Sequence, residues 1–275
     1  MGKERILITV KTYPTLSRKY GETVCTAGVR ADGSWVRLYP VPFRRLDEKQ
    51  QYSKFDWVEC RLIRSTSNPR PESFRPADVD ELKAIAHVGT ADEWNERHAI
   101  LLRTAKVYTS LDELIAGAKA NTVSLAVFKP TCVLDFTWEQ DEREWDAERL
   151  RQVRESFKQL DLFEDNSWRE TFKVVRKLPY NFSYKFEDAA GKTSGLQILD
   201  WEAGALYWNC LASSEGDEGP ALAKVRKKYF DEFLKTDLHL FLGTTQQFHF
   251  VARNPWVIVG VFPIPHDQQR RLFSP

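Results

Sequence analysis

Residues 33–46 read GSWVRLYPVPFRRL, and the fold of the first third of the chain turns on which way these side chains point. In an extended strand neighbours alternate, so Val36 and Leu38 share one face while Trp35, Arg37 and Tyr39 share the other. With the first pair turned into a core, the second set is expected to stand outward as ring, guanidinium and ring. Pro40 and Pro42 then keep the following chain from pairing on both sides. The Asp32-Gly33 pair just upstream is a hairpin signal and makes ETVCTAGV the preceding partner strand.

The same pattern extends outward from this stretch. RILITVKTY and DWVECRLIR are short, rich in β-branched and aromatic residues and bounded by turn sequences, so four strands are expected to form a small antiparallel barrel or bent sheet. STSNPRPESFRP closes this unit, because its prolines oppose a regular helix or a central strand. Beyond it PADVDELKAIAHV, ADEWNERHAILLRTA and SLDELIAGAKA each begin with a capping Asp or Ser and acidic first-turn residues, which predicts three helices. TVSLAVFKPTCVLDFTW reads as strands broken at Pro130. Residues 139–163 read as a long helix with Leu150, Val153, Phe157 and Leu160 on one stripe.

The last third is mixed. FKVVRKLPYNFSYKFED and TSGLQIL flank a turn, Asp200 caps a helix over WEAGALYWNCLA, and PALAKVRKKYFDEFL carries Pro220 in the first turn of another. DLHLFLGT and PWVIVGVFPI read as buried strands. The class is therefore α+β: a basic β module at 1–76, an acidic, mainly helical segment at 77–165 and an α+β part at 166–275, together forming one or two compact domains.

Charge is unevenly spread along these segments. The first holds 15 Lys and Arg against 8 Asp and Glu, the second 11 against 19 and the third 14 against 12, which leaves the whole chain at +1. Such a contrast serves either a polyanion surface or complementation within the molecule. A hydrophobic share of 42% excludes a disordered chain, and no apolar run approaches a membrane span, so the expectation is a cytoplasmic protein with no membrane partner. Cys25, Cys60, Cys132 and Cys210 form no C-x-x-C pair, which points to buried free thiols rather than zinc or disulfides.

Chemistry is sparsely marked. The outward face of the opening stretch, with Arg44 and Arg45 after it, suits unpaired bases and phosphates; a stacked base contributes roughly 1–3 kcal/mol. The turn after the first strand adds Lys11, Tyr13, Lys19 and Tyr20 to the nucleic-acid-binding candidates Trp35, Arg37, Tyr39, Arg44 and Arg45. A competing reading pairs Arg37 with Glu59 of a neighbouring strand and lets the tryptophans cover each other. Asp200 and Glu202 are weak catalytic candidates for a metal-dependent hydrolase, with His239 or His249 in support, although an N-cap Asp beside a solvated Glu explains them too. AAGKTSG lacks the first glycine of a phosphate loop, having Phe186 in its place, and no cofactor motif is present.

The segments KTYPTLSRKYGETVCTAGV, GSWVRLYPVPFRRL, SLAVFKP, LPYNFSYKF, LDWEAGALY, DLHLFLGT and PWVIVGVF together resemble a group of prokaryotic proteins of unknown function, along nearly the whole chain. That resemblance implies no activity, cofactor or catalytic residue. The β module is also similar in general shape to PUA-like and OB-like nucleic-acid readers. Three functions are expected in order: a nucleic-acid-binding or sensing accessory protein for single-stranded or modified strands, in DNA processing or anti-phage defence; a metal-dependent nuclease; and a scaffold docking a protein partner through the 139–163 helix.

Overall fold

Short, turn-bounded apolar runs give strands first. The computed structural model describes residues 2–17, 21–46, 51–160 and 174–266. Strand β1 (Glu4–Lys11) lies between β3 (Gly21–Val29) and β5 (Asp56–Cys60), antiparallel to both. β2 (Thr15–Ser17) pairs with β3, and β3 turns into β4 (Trp35–Val41) at Gly33, whose φ is +81°. Only glycine adopts that conformation without strain, and a Cβ there would lie 2.4 Å from the Thr104 carbonyl oxygen. β6 (Leu62–Arg64), β7 (Ser73–Pro76) and β8 (Lys83–His87) complete a curled sheet in the order β6-β7-β4-β3-β1-β5-β8. One face buries Ile6, Ile8, Val36, Leu38, Val58 and Cys60.

Two expectations for this region fail. Residues 83–87 form an edge strand rather than a helix, because β5 offers a free ladder and the pairing of Asp56 with His87 fixes its register. Asp78 does not cap a helix; its carboxylate accepts from the Asp80 backbone N–H at 2.9 Å in a local turn. The proline-rich linker also supplies a strand inside the sheet. Its residues paired to β4, Ser73 and Phe74, are not prolines, and Pro76 ends it.

The other expected helices form, although Thr90 rather than an Asp stands at the start of the first and makes no side-chain cap bond. α1 (Ala91–Leu102) and α2 (Leu111–Lys119) follow, the latter capped by the Ser110 hydroxyl. β9 (Val107–Tyr108) runs parallel to β10 (Leu125–Phe128), which joins β14 (Asp237–Thr244) and β15 (Trp256–Ile264) in a four-stranded sheet. β11 (Cys132–Gln140), β12 (Tyr180–Glu187) and β13 (Thr193–Gln197) make a third sheet. α3 (Ala147–Leu160) starts later than expected, since residues 139–140 are still paired to β12 and the Asp146 carboxylate accepts from the Arg149 N–H near its start. α4 (Trp201–Ala212) is capped by Asp200 and α5 (Glu218–Arg226) by Asp217.

The sheets share a core. Leu7, Val10 and Val29 of the curled sheet pack with Val127, Phe241 and Phe262, and the rings of Phe241 and Phe262 stack at 5.5 Å. Each such buried ring contributes about 1.5–3 kcal/mol relative to exposure. A second cluster lies between the third sheet and α4 and α5, around Phe136, Phe182, Tyr184 and Tyr207. The cysteines depart from expectation in part: Cys60 and Cys210 are buried, Cys25 is half-buried and Cys132 is exposed.

The link after β1 is clamped to the C-terminal part. The Tyr13 N–H donates to the Leu199 carbonyl at 2.8 Å, and the Tyr13 ring lies against Gly204 of α4, where a Cβ would come within 2.4 Å of it. Glycine to alanine inside a helix ordinarily stabilises by about 1 kcal/mol. Gly204→Ala is expected to reverse that sign and cost about 1–3 kcal/mol, because the Tyr13 ring would have to shift while its hydroxyl is held by the Arg176 carbonyl and the Trp208 N–H. The denaturant midpoint of the variant measures it; a rise would show that the ring does not pack on the helix.

Candidate functional site

The expected outward platform does not exist as an open face. Both sides of β4 are covered at its centre, and Arg37 is only 1% exposed. Its guanidinium donates to the Ser124 hydroxyl at 2.8 Å, the Ser124 carbonyl at 2.9 Å and the Ser73 hydroxyl at 3.3 Å. Pairing with Glu59 fails as well, since β5 sits beside β1 and Glu59 meets Lys3 and Arg5. Trp35 packs edge-on against Phe241 at 5.9 Å. Arg44 is held by Glu22 at 2.9 Å. Lys19, Tyr20 and the Arg45 side chain lie outside the described residues.

Tyr13 and Tyr39 do converge, on a cavity of about 400 Å³ between the curled sheet and the other two sheets. That volume falls in the range of small-molecule sites. Val257, Val259, Ile198 and Leu199 give it apolar walls, and Trp145 and Tyr180 add two more rings. Hydrogen bonds hold the polar end of each ring: Tyr13 to the Arg176 carbonyl at 2.8 Å, Trp145 to the Val175 carbonyl at 2.7 Å and Tyr180 to Glu218 at 2.7 Å.

A polar relay enters from one side. Lys177 pairs with Asp141 at 3.0 Å, Asn181 hydrogen-bonds Asp141, and the Gln197 amide donates to Asn181 Oδ1 at 2.7 Å. Burial raises the Asp141 carboxyl, but Lys177 and its other hydrogen bonds outweigh that and leave it below the usual range. Among the described residues Gln197 retains a carbonyl oxygen and one N–H for whatever enters.

On another side stands Arg70, 5% exposed, donating to the Asn68 side chain at 2.9 Å and to the Thr244 carbonyl. Thr245, next along the chain, lines the same cavity, and its buried hydroxyl has no partner. The loop then carries Phe248, Phe250 and Val251, exposed by 48%, 54% and 77%. Between them His249 is buried, bonded to the Thr244 hydroxyl at 2.9 Å and to Asn121 at 3.0 Å. Burial, then Arg70 and Arg37, push His249 down to about 4, so it is neutral at pH 7.

The acidic pair meets an unforeseen partner. Lys54, from a loop 146 residues away in sequence, donates to Asp200 at 2.8 Å and to Glu202 at 3.0 Å. Asp200 also accepts from the Glu202 N–H as the helix cap. His239 bonds the Asp237 carbonyl and lies at the far end of β14 from the residue that holds His249. Among the described residues no three His, Cys, Asp or Glu side chains gather as a metal site. Lys11 packs over the Phe43 ring at 3.6 Å, and burial with Lys54 nearby pushes it down to about 8. In α3, Val153 is fully buried and Arg149 donates to the Leu16 carbonyl, so the first half of the helix rests on the β module; the side chains of Phe157 and Leu160 lie outside the described residues.

Arg70, Asn181, Gln197, Trp145 and Thr245 escaped the sequence reading. Each is a single polar or aromatic residue in a different element, and only the tertiary fold gathers them. Arg70 alone had a local mark, its position between Pro69 and Pro71.

Residues 107–275 match the family profile described as Domain of unknown function (DUF8757), and residues 2–103 match Domain of unknown function (DUF8758). The chain belongs to the DUF8757 family. No curated protein matches it. No helix among the described residues is long and apolar enough to cross a membrane.

Two outcomes follow from the buried charges. Lys54→Met leaves the fully buried Asp200 carboxylate without its cation and is expected to cost about 3–5 kcal/mol, with much of that recovered in a Lys54→Met, Asp200→Asn double variant; chemical denaturation of the three proteins measures it, and a neutral single variant would contradict the pairing. His249 binds its proton less readily folded than unfolded, so its contribution to stability is complete above about pH 6.5 and is lost as pH falls toward about 4. The melting temperature of His249→Gln is expected to fall less steeply than that of the parent between those limits.

Proposed function

We propose that the protein binds nucleic acid by taking one unstacked base from a single strand, or a modified base, into the cavity lined by Tyr39 and Gln197. Supporting it most directly is the junction of two features on one chain segment: the cavity wall at Thr244, Thr245 and Gln246, and the exposed rings of Phe248 and Phe250 that follow. An unpaired base needs flat apolar surface for its faces and directed hydrogen bonds for its edge. The rings and the Gln197 amide, held by Asn181 and Asp141, offer both. Rings outside the cavity then offer stacking surface to the neighbouring bases.

The contact set differs from the one expected from the opening stretch. Tyr13 and Tyr39 remain, while Arg37 acts from within by holding β4 in place. The hydrolase reading has less support, because the Lys54 ammonium occupies the place between the two carboxylates. The scaffold reading loses Val153, which already packs in the fold.

Fluorescence anisotropy with labelled single-stranded DNA and RNA tests the proposal against duplex controls. The single strand is expected to bind more tightly, and affinity to fall as salt rises. Losing stacking surface removes roughly 1–3 kcal/mol per base, so Phe248→Ala with Phe250→Ala is expected to weaken binding by about fivefold or more. Gln197→Ala, which removes hydrogen bonds to the base edge at about 1 kcal/mol, is expected to weaken it by about fivefold. Equal binding by all variants, or none to any strand, would reject the reading.

A further inference from the structure

Arg37 and Arg70 are both buried, and among the described residues neither guanidinium has a carboxylate ion-pair partner. Among the described residues Glu72 is the carboxylate whose charge reaches both; hydrogen-bonded by the Ser124 N–H and hydroxyl and ion-paired with neither guanidinium, it offers one negative charge to two arginines, so one positive charge stays unbalanced. The two carboxylates lining the cavity are likewise engaged, Asp141 with Lys177 and Asp200 with Lys54. A guanidinium does not give up its proton in a protein, so a buried one lacking a counter-charge is costly. Burial and the mutual repulsion of the two arginines lower the proton affinity of Arg70, which reflects that cost.

Two residues with unused donors lie side by side in the cavity lining. Arg70 commits Nε to Asn68 and Nη1 to Thr244, leaving Nη2 without a partner among the described residues, and it lines the cavity. Its bond to the Thr244 carbonyl sets the guanidinium against the backbone just before Thr245, whose buried hydroxyl is also unpartnered. Neutral His249 beside them adds no anion.

From this we infer that the Arg70 end of the cavity is a phosphate subsite, in which phosphate oxygens accept hydrogen bonds from the Arg70 guanidinium and the Thr245 hydroxyl. Guanidinium and phosphate form strong charge-assisted bonds, and the anion supplies the missing counter-charge. The inference rests on the proposed nucleotide reading for what carries the phosphate: a terminal phosphate or an internal linkage of the strand.

Calorimetric titration of the full chain tests it with inorganic phosphate, nucleosides and nucleoside 5′-monophosphates. Phosphate is expected to raise the melting temperature, and at least one monophosphate to bind tenfold or more tightly than its nucleoside. Arg70→Lys, which keeps charge but loses the fork, is expected to remove that preference; Thr245→Val, which deletes an unpaired hydroxyl, is expected to reduce it severalfold in a protein as stable as the parent. Equal affinity for nucleoside and monophosphate, with no shift by phosphate, overturns the subsite, as does an unchanged preference in both variants.

The sources separate on oligonucleotides. A terminal phosphate predicts preference for a 5′- or 3′-phosphorylated strand over the hydroxyl-ended one, whereas an internal linkage predicts loss of affinity when a neutral methylphosphonate replaces one phosphate. Binding of monophosphates without strand binding leaves the subsite standing and removes the nucleic-acid reading. Strand binding insensitive to Arg70→Lys, end phosphate and methylphosphonate does the reverse.

Discussion

The guanidinium of Arg37 is the most deeply buried charge that fastens β4 to the second half of the chain. It reaches from β4 to both the hydroxyl and the carbonyl of Ser124, and its N–H groups also meet Ser73 of β7. Burying that charge has a substantial desolvation cost, so the surrounding hydrogen bonds constrain strand position closely. With β4 fixed, β10 enters beside it and β14 and β15 cover the far side of the curled sheet. The cavity is the space left where those covers do not meet. Its walls therefore come from both family-matched segments.

Charge segregation along the chain has a partly internal use. Arg5 meets Glu59, Arg30 meets Glu4 and Arg44 meets Glu22 within the basic segment, and Lys54 crosses to Asp200 and Glu202. Of these, a surface pair such as Arg5 with Glu59 contributes little to stability, about 0–1 kcal/mol, whereas the carboxylates of Glu22 and Asp200 are buried. The buried groups matter more. Around the cavity, carboxylates paired to lysines and the Arg70 guanidinium, which has no ion-pair partner among the described residues, give an electrostatic character that the net charge of +1 conceals.

Local structure was legible because its causes are local. The Asp32-Gly33 turn, the break at Pro130, the Ser110 and Asp200 caps and the β14–β15 run each follow from residues adjacent in sequence. Residues 83–87 misled, since a capping Asp and acidic first-turn residues were overridden by the free edge of β5. Alternation in β4 was real, with Val36 and Leu38 sharing one buried cluster, but it identifies two faces without saying that one is wet. The cavity was illegible for a different reason: Arg70, Gln197 and Thr245 belong to distant stretches, and no periodicity links them.

The turn that follows β14 combines an apolar tip with a firmly held base. His249 is tied to Thr244 and Asn121, its backbone N–H to Thr245, and its ring lies edge-on to Phe250 at 4.5 Å. A tip anchored in this way has surrendered part of its conformational freedom during folding, so little remains to be lost when a guest settles on it. Affinity at this corner can then come from modest contact area, with the fold itself having met the entropic demand in advance.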